Sequence, residues 1–506
     1  MSVIAITKPN LYKDSVALMR VAEQLLALAG VRRATLVMGT SANKEMLAEA
    51  GLLAEAVTRA GPGDLIAAVD ADSAEAANHA LSEAERLLAA AAGVSAAAAE
   101  TVPLRSLAMA TARWPHAQLV QISVPGPYAG GEALKALKGG RHVFLFSDNV
   151  AFSEELFIKQ YAAAKGLLVM GPDCGTAILD GVPLGFANVV RRGSIGLVGA
   201  SGTGLQEVTS QIHHLGGGVS HAIGTGGRDV SAEVGGISML QGLDLLAADG
   251  ATKVIVVVSK PPSPEVAEKV LAKLAAGTKP AVVLFIGAGT GAGASNIEFV
   301  STLQEAAAAA VRLAGSKPLA VDDRPAVRPP FVASQKYIRA LYSGGTFCYE
   351  AQTIWRKLGF TCWSNAPLDR TRKLVDSRIS VEHSAVDLGE DEFTLGRPHP
   401  MIDPSLRIER LRREAADRSV AVILLDIVLG YGAHPDPAGA ITPAIRDARL
   451  AAAKEGRSIA VLAFVCGTED DPQRRSTQEQ KLREAGVLVA NGSTAAAHAA
   501  ARLVEH

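Results

Sequence analysis

Residues 194–208, SIGLVGASGTGLQEV, decide how the chain reads. Ile195, Leu197 and Val198 make a buried strand that runs into the small residues Gly199-Ala200-Ser201-Gly202-Thr203-Gly204. A helix is expected to open at about Thr203 and to continue through Gln206, Glu207 and Val208. A strand, a glycine turn and a helix in that order aim the first backbone N–H groups of the helix at one point. The helix dipole favours phosphate or another small oxyanion there. Ser201 and Thr203 can add hydroxyl donors. Three named loops are excluded. A Walker A loop carries Lys after its last Gly, where Leu205 stands. A G-x-S-x-G elbow would need Gly at the position of Thr203. A dinucleotide fingerprint wants an acid at the end of the next strand, and none is evident. A tight strand–helix turn without a ligand is the alternative reading.

Outward from this stretch, 506 residues suggest three or four domains at about 150 residues each. Hydrophobic content is 48% and charged content 20%, enough for large cores. A net charge of −1 argues against a nucleic-acid or anionic-membrane surface. Cys174, Cys348, Cys362 and Cys466 show no CxxC spacing, so neither a zinc site nor a disulfide framework is expected. The first residues enter a strand directly, and no apolar run reaches the roughly 18 residues of a membrane span. The expectation is a cytoplasmic α/β protein.

Strands alternating with helices predict four units. Residues 1–112 form a small α/β sandwich, plausible as a ferredoxin-like fold, and 113–192 a Rossmann-like unit. Residues 193–322 and 335–506 form two flavodoxin-like domains, joined by RPAVRPP (324–330). In the Rossmann-like unit, strands end in the turns 124–128 and 171–175. Those turns place Pro125, Gly126, Asp173 and Cys174 on the carboxyl edge of a parallel sheet, where ligands bind. After the strand 281–286, Gly287, Gly289 and Ala292 match a G-x-G-x-x-A pattern.

The fourth unit echoes the opening stretch. Gly202-Thr203-x-x-x-Glu207 and Gly345-Thr346-Phe347-x-x-Glu350 share G-T-x-x-x-E at a helix start, and both continue into helix, glycine and strand. The chain therefore reads as two related halves, each presenting a phosphate-type helix N-terminus.

These residues carry a resemblance. The run from Gln118 to about Gly289 resembles the alpha subunit of succinyl-CoA synthetase, through GPDCGT (171–176), GASGTGLQE (199–207) and GGRD (226–229). Residues 340–500 look like the ligase domain of the beta subunit, and the whole layout is most similar to the FdrA family. The resemblance implies a CoA-binding-type Rossmann domain and two helix N-termini facing one another across a phosphohistidine. The stretch where that histidine would stand, GAGTGAGASNIEFV (287–300), contains none. No ATP-grasp domain is recognised either. FdrA proteins are associated with oxamate carbamoyltransferase, which splits oxalurate with phosphate. The resemblance thus implies phosphate and carbamoyl phosphate as substrates, with CoA retained only as an option. It also implies a partner carbamoyltransferase subunit and a carbamate kinase, within an oligomer.

Glu207 and Glu350 are candidates to orient a substrate amide or a proton on phosphate, or are helix-stabilising acids. Arg228 is the candidate cation of the first cradle. Cys174 lacks a recognisable histidine neighbour and reads as structural, beside Asp173 at the ligand edge. No metal site is expected. The leading function is carbamoyl transfer between oxamate and phosphate. An acid–CoA ligase subunit is the alternative, and a CoA-binding regulatory protein is a third reading.

Overall fold

The computed structural model describes residues 2–505 apart from 12, 14, 94–103, 289–293, 320–328 and 395–396. Gly289 and Ala292 of the G-x-G-x-x-A pattern, and most of the linker 324–330, lie outside the described residues. The chain divides into two compact units, residues 1–116 with 391–403, and residues 117–390 with 404–506.

The first unit runs β1 (Ser2–Lys8), α1 (Ser15–Leu26), β2 (Val31–Met38), α2 (Ser41–Glu49), β3 (Leu65–Ala71), α3 (Ala74–Gly93) and α4 (Leu107–Arg113). β3 lies between β1 and β2 and is antiparallel to both. Its alternation is what makes a sandwich. Leu65, Ala67 and Val69 join Leu18, Leu25 and Leu81 in one cluster, while Ile66 and Ala68 join Leu47, Leu52 and Val57 in another.

The second unit opens with the parallel strands β4 (Leu119–Ile122), β5 (His142–Leu145) and β6 (Val169–Met170), linked by α5 (Gly126–Lys138) and α6 (Phe152–Ala164). The hairpin β7 (Thr176–Leu179) and β8 (Val182–Gly185) then pairs with β10 (Val219–Gly224) of the next sheet. The expected boundary near residue 192 is thereby corrected, because the ladder with β10 takes 176–185 into the following sheet. That sheet adds β9 (Arg192–Ala200), α7 (Gly202–His214), α8 (Ile237–Ala248), β11 (Val254–Ser259), α9 (Pro264–Ala276), β12 (Ala281–Phe285), β13 (Ile297–Phe299) and α10 (Leu303–Leu313). Its parallel strands stand in the order β10-β9-β11-β12-β13, the 2-1-3-4-5 order of flavodoxin-like sheets.

The other half has β14 (Tyr337–Tyr342), α11 (Gly345–Lys357), β15 (Cys362–Ser364) and β16 (His383–Asp387). The chain then supplies residues 391–403, with the short α12 (Asp391–Thr394), to the first unit. It resumes with α13 (Ser405–Ala416), β17 (Val420–Val428), α14 (Pro437–Lys454), β18 (Ala460–Cys466), α15 (Arg475–Glu484), β19 (Leu488–Ala490) and α16 (Ser493–Val504). All strands are parallel, ordered β15-β16-β14-β17-β18-β19. β16 has moved in beside β14 and left β15 on the edge, so this half is a variant of the flavodoxin order and not a copy of the first. Every residue of β11 and β17 is buried, as strands covered by helices on both faces require.

Candidate functional site

α7 and α11 each follow the first strand of a doubly wound sheet, with later strands on both sides. Their N-termini therefore stand at topological switch points, on the carboxyl edge. Ser201 caps α7, its Oγ accepting the Gly204 N–H at 3.2 Å. α11 begins after Gly344, which has no side chain to cap it. The two starts meet, since the Ser201 and Thr346 hydroxyls are hydrogen-bonded to one another. Gly344 lies so close to Thr203 that a Cβ there would collide with it. Thr203 and Thr346 are buried, Ser201, Gly344 and Gly345 half-buried, and Gly202 exposed. The approachable side of the junction is thus glycine and serine backbone. The first-turn N–H groups of Gly345, Thr346 and Phe347 receive no side-chain cap.

The carboxylates one turn further in point elsewhere. Glu350 is 1% exposed. Its Oε1 accepts the Leu303 N–H and the Thr494 hydroxyl at 2.8 Å, and its Oε2 the Ser493 hydroxyl at 2.5 Å. Glu207 accepts the Ser493 N–H at 3.1 Å and the Gln211 amide at 3.0 Å. Both acids therefore serve the start of α16, and Glu350 that of α10 as well. Burial pushes Glu350 up to about 7, and it raises Glu207 too, beside the Cys466 thiol. These partners place the two acids away from the junction for which they were proposed as catalytic groups.

Arg228 is likewise committed. Its Nε meets the fully buried Glu155 at 2.8 Å and its guanidinium donates to the Val150 carbonyl at 2.9 Å. Glu155 in turn holds Lys159, also fully buried, which binds Asp229 at 2.9 Å and the Thr225 carbonyl at 3.1 Å. Asp229 accepts the Ser238 and Met239 N–H groups at the start of α8. This network fastens α6 of the small sheet to the next one. A cation on the carboxyl edge of the same sheet is Lys260. It follows β11, and its Nζ would lie 3.1 Å from a Cβ on Gly227, after β10. The loops that follow β11 and β10 are thus brought together, on the two sides of β9 in the sheet order.

A residue missed from sequence is Asp387, at the end of β16. Its Oδ2 stands 2.9 Å from the place a Gly345 Cβ would occupy, at the mouth of α11. Asp173 and Cys174 lie on the edge expected of them. Asp173 is exposed, with φ of 54°, and near enough to Asp387 to act on it electrostatically. Cys174 is buried and its thiol pushed up to about 12, so it is no thiolate. Pro125 and Gly126 open α5 with no side-chain cap, and a Cβ on Gly126 would collide with the Asn149 carbonyl. His213 and His214 are in the last turn of α7, the end opposite the junction. Burial beside Arg475 pulls His214 down to about 3.

Three family models match: a CoA-ligase model at residues 341–503, a CoA-binding-domain model at 190–287, and one described as "AllF, heavy metal-associated domain" at 1–103. YahF of Escherichia coli (strain K12) is 44% identical over 506 residues, covering 98% of this chain and 97% of its own. The chain belongs to the FdrA/AllF-type family of succinyl-CoA-synthetase-like fusions. Outside that family, the alpha subunit of succinate–CoA ligase from Methanothermobacter thermautotrophicus is 28% identical over 28% of this chain and 47% of its own. The ADP-forming sulfoacetate–CoA ligase subunit SauD of Bilophila wadsworthia is 30% identical over 34% of this chain and 60% of its own. The chain thus spans about half the length of these curated ligase subunits.

The CoA-binding-domain match, 190–287, covers β9 and α7 and not α5 (126–138), where the Rossmann-like unit was expected to hold CoA. The first unit holds no cysteine, so a soft heavy-metal site does not fit it. Among the described residues, no helix is long and apolar enough to cross a membrane.

Proposed function

We propose that this chain is a subunit of an acid–CoA-ligase-type enzyme in which the joined starts of α7 and α11 hold the phosphate that an acyl group joins or leaves. The observation that carries this reading is the Ser201–Thr346 hydrogen bond, which brings the CoA-binding and CoA-ligase segments together helix start to helix start. Backbone N–H groups there would stabilise charge developing on the attacked carbonyl, and Lys260 would offset that of phosphate. The curated relatives named as CoA ligases support it. ATP would be handled by a second polypeptide.

A second reading, phosphorolysis of oxalurate to oxamate and carbamoyl phosphate, is favoured by one observation. Residues 287–300 contain no histidine to carry a phosphoryl group. The partner subunit and carbamate kinase belong to this reading. Two measurements separate the readings. Stabilisation by CoA, with acyl phosphate formed from an acyl-CoA and phosphate, favours the ligase. Carbamoyl phosphate formed from oxalurate and phosphate favours the carbamoyltransferase. An acid-labile phosphoprotein formed with labelled ATP would overturn the carbamoyltransferase reading and restore that of a phosphohistidine synthetase.

A further inference from the structure

The mouth of α11 holds a buried acid without a counter-ion. Asp387 is 3% exposed. Its Oδ1 accepts the Gly389 N–H at 2.9 Å, while its backbone is pinned on both sides by Asn365, also at 2.9 Å. No donor among the described residues is recorded on Oδ2, which is the oxygen directed at Gly345. Glu390, Asp426 and, from the loop after β6, Asp173 act on the Asp387 charge, and from α11 the Cys348 thiol and the Tyr349 phenol face it, each pushed up by burial first and by the Asp387 carboxylate in turn. Of these Asp426 is neutralised by Arg407 at 3.1 Å. Burial first, and those charges second, hold the Asp387 carboxyl well above the usual carboxylate range.

An ionised carboxylate here would repel any anion drawn to the uncapped N–H groups of α11. A neutral one is compatible with the anion and carries a proton toward it. We propose that Asp387 is the general acid of this site, donating its proton to the group that leaves the acyl carbon as phosphate attacks. The inference rests on the phosphate-at-the-junction reading above. The step balances as R–CO–X + HPO4²⁻ giving R–CO–OPO3²⁻ + HX. A phosphate oxygen forms the new C–O bond, and the C–X bond breaks with its electron pair leaving on X. X takes the Asp387 proton, and the hydrogen of the phosphate restores the carboxyl. X is the CoA sulfur or the amide nitrogen of oxalurate.

The experiment uses the full chain, with any partner it needs, and the isosteric neutral variant Asp387→Asn. In turnover, the variant should lose about 10²- to 10⁴-fold in kcat with the KM for phosphate unchanged. The wild-type rate should fall as pH rises through the Asp387 ionisation. Asp173→Asn, which keeps an exposed residue suited to positive φ, removes one neighbouring charge and should move that alkaline limb to lower pH. In binding, sulfate, whose charge does not change near neutrality, should bind wild type more weakly as pH rises and Asp387→Asn equally at every pH. A variant with wild-type kcat and pH profile overturns the proposal, as does sulfate affinity that falls in parallel in both proteins. If neither acyl-CoA nor oxalurate turns over in wild type, the proposed reaction fails, and the sulfate arm alone decides on Asp387. Should Asp387→Asn not fold, the pH dependence of sulfate binding to wild type and Asp173→Asn decides: unshifted curves overturn it.

Discussion

Replacing Glu350 with glutamine probes the buried carboxyl pair at the start of α16. Burial raises the Glu350 pKa from 4.5 to about 7. The folded pKa lies above the unfolded one, so the native state holds the proton more tightly. That contribution is fully present below 4.5, erodes as pH rises, and is gone once pH passes about 7. The interval, 7 − 4.5, is 2.5 pH units. At about 1.4 kcal/mol per unit, the loss is about 3 kcal/mol. Glutamine cannot ionise. Its oxygen can still accept from the Leu303 N–H and the Thr494 hydroxyl, and its amide can meet the Ser493 hydroxyl. Urea unfolding of both proteins across this range should show Glu350→Gln gaining about 3 kcal/mol on wild type between the acid and alkaline ends. A stability difference that is the same at both ends would refute the reasoning. Because the Glu207 charge contributes to the shift, Glu207→Gln should move the wild-type transition toward acid.

Four further outcomes are expected. Lys159→Met leaves Glu155 and Asp229 buried beside an apolar chain, and should cost about 3–5 kcal/mol in chemical denaturation. Gly204→Val should destabilise by about 1–3 kcal/mol, because its Cβ would collide with Ser201 Oγ and lie 3.0 Å from both Val258 and Thr346. Gly202→Ala, whose Cβ would meet only Thr176 at 3.5 Å, should unfold at the wild-type denaturant midpoint. Cys174, Cys348 and Cys466 are buried with thiol pKa values pushed upward. They should react with a thiol reagent only at the rate of unfolding, and fast labelling of any of them in the native protein would contradict their placement.

Both helix starts at the junction were legible because small residues, a Ser cap and the G-T-x-x-x-E echo are local signals. The hairpin at 176–185 was overlooked although its cue was equally local. Asp180-Gly181, both at positive φ, is the D-G pair that favours a two-residue turn between TAIL and VPLG. α5 begins at Gly126, within a turn expected at 124–128, although YAGG has the composition of a loop. There Gly130 faces Glu154 of α6, and a Cβ would stand 2.7 Å from its carboxylate. The acids were a different kind of case. Sequence places Glu207 one turn into a helix, but the group it serves, the Ser493 N–H, is 286 residues away. Arg228 was similarly taken by a glutamate on another sheet's helix. Asp387 carries no motif at all. Only the pairing of β14 with β16, with Tyr342 opposite Asp387, brings it beside Gly345.

The position of α16 has a consequence for how the body is made. Its first residues take a carboxylate from each half, Glu207 on the Ser493 N–H and Glu350 on the Ser493 and Thr494 hydroxyls. Trp355 of α11 donates to the Ala497 carbonyl at 2.9 Å. A ribosome delivers this helix after every strand of both sheets, at about 5–20 residues per second. For seconds after α7 and α11 have emerged, both carboxyls lack these partners and remain better served by water than by a closed interior. The same twelve-residue helix then supplies the missing partners to both halves at once, Glu207 having kept Gln211 and Glu350 the Leu303 N–H until it arrives.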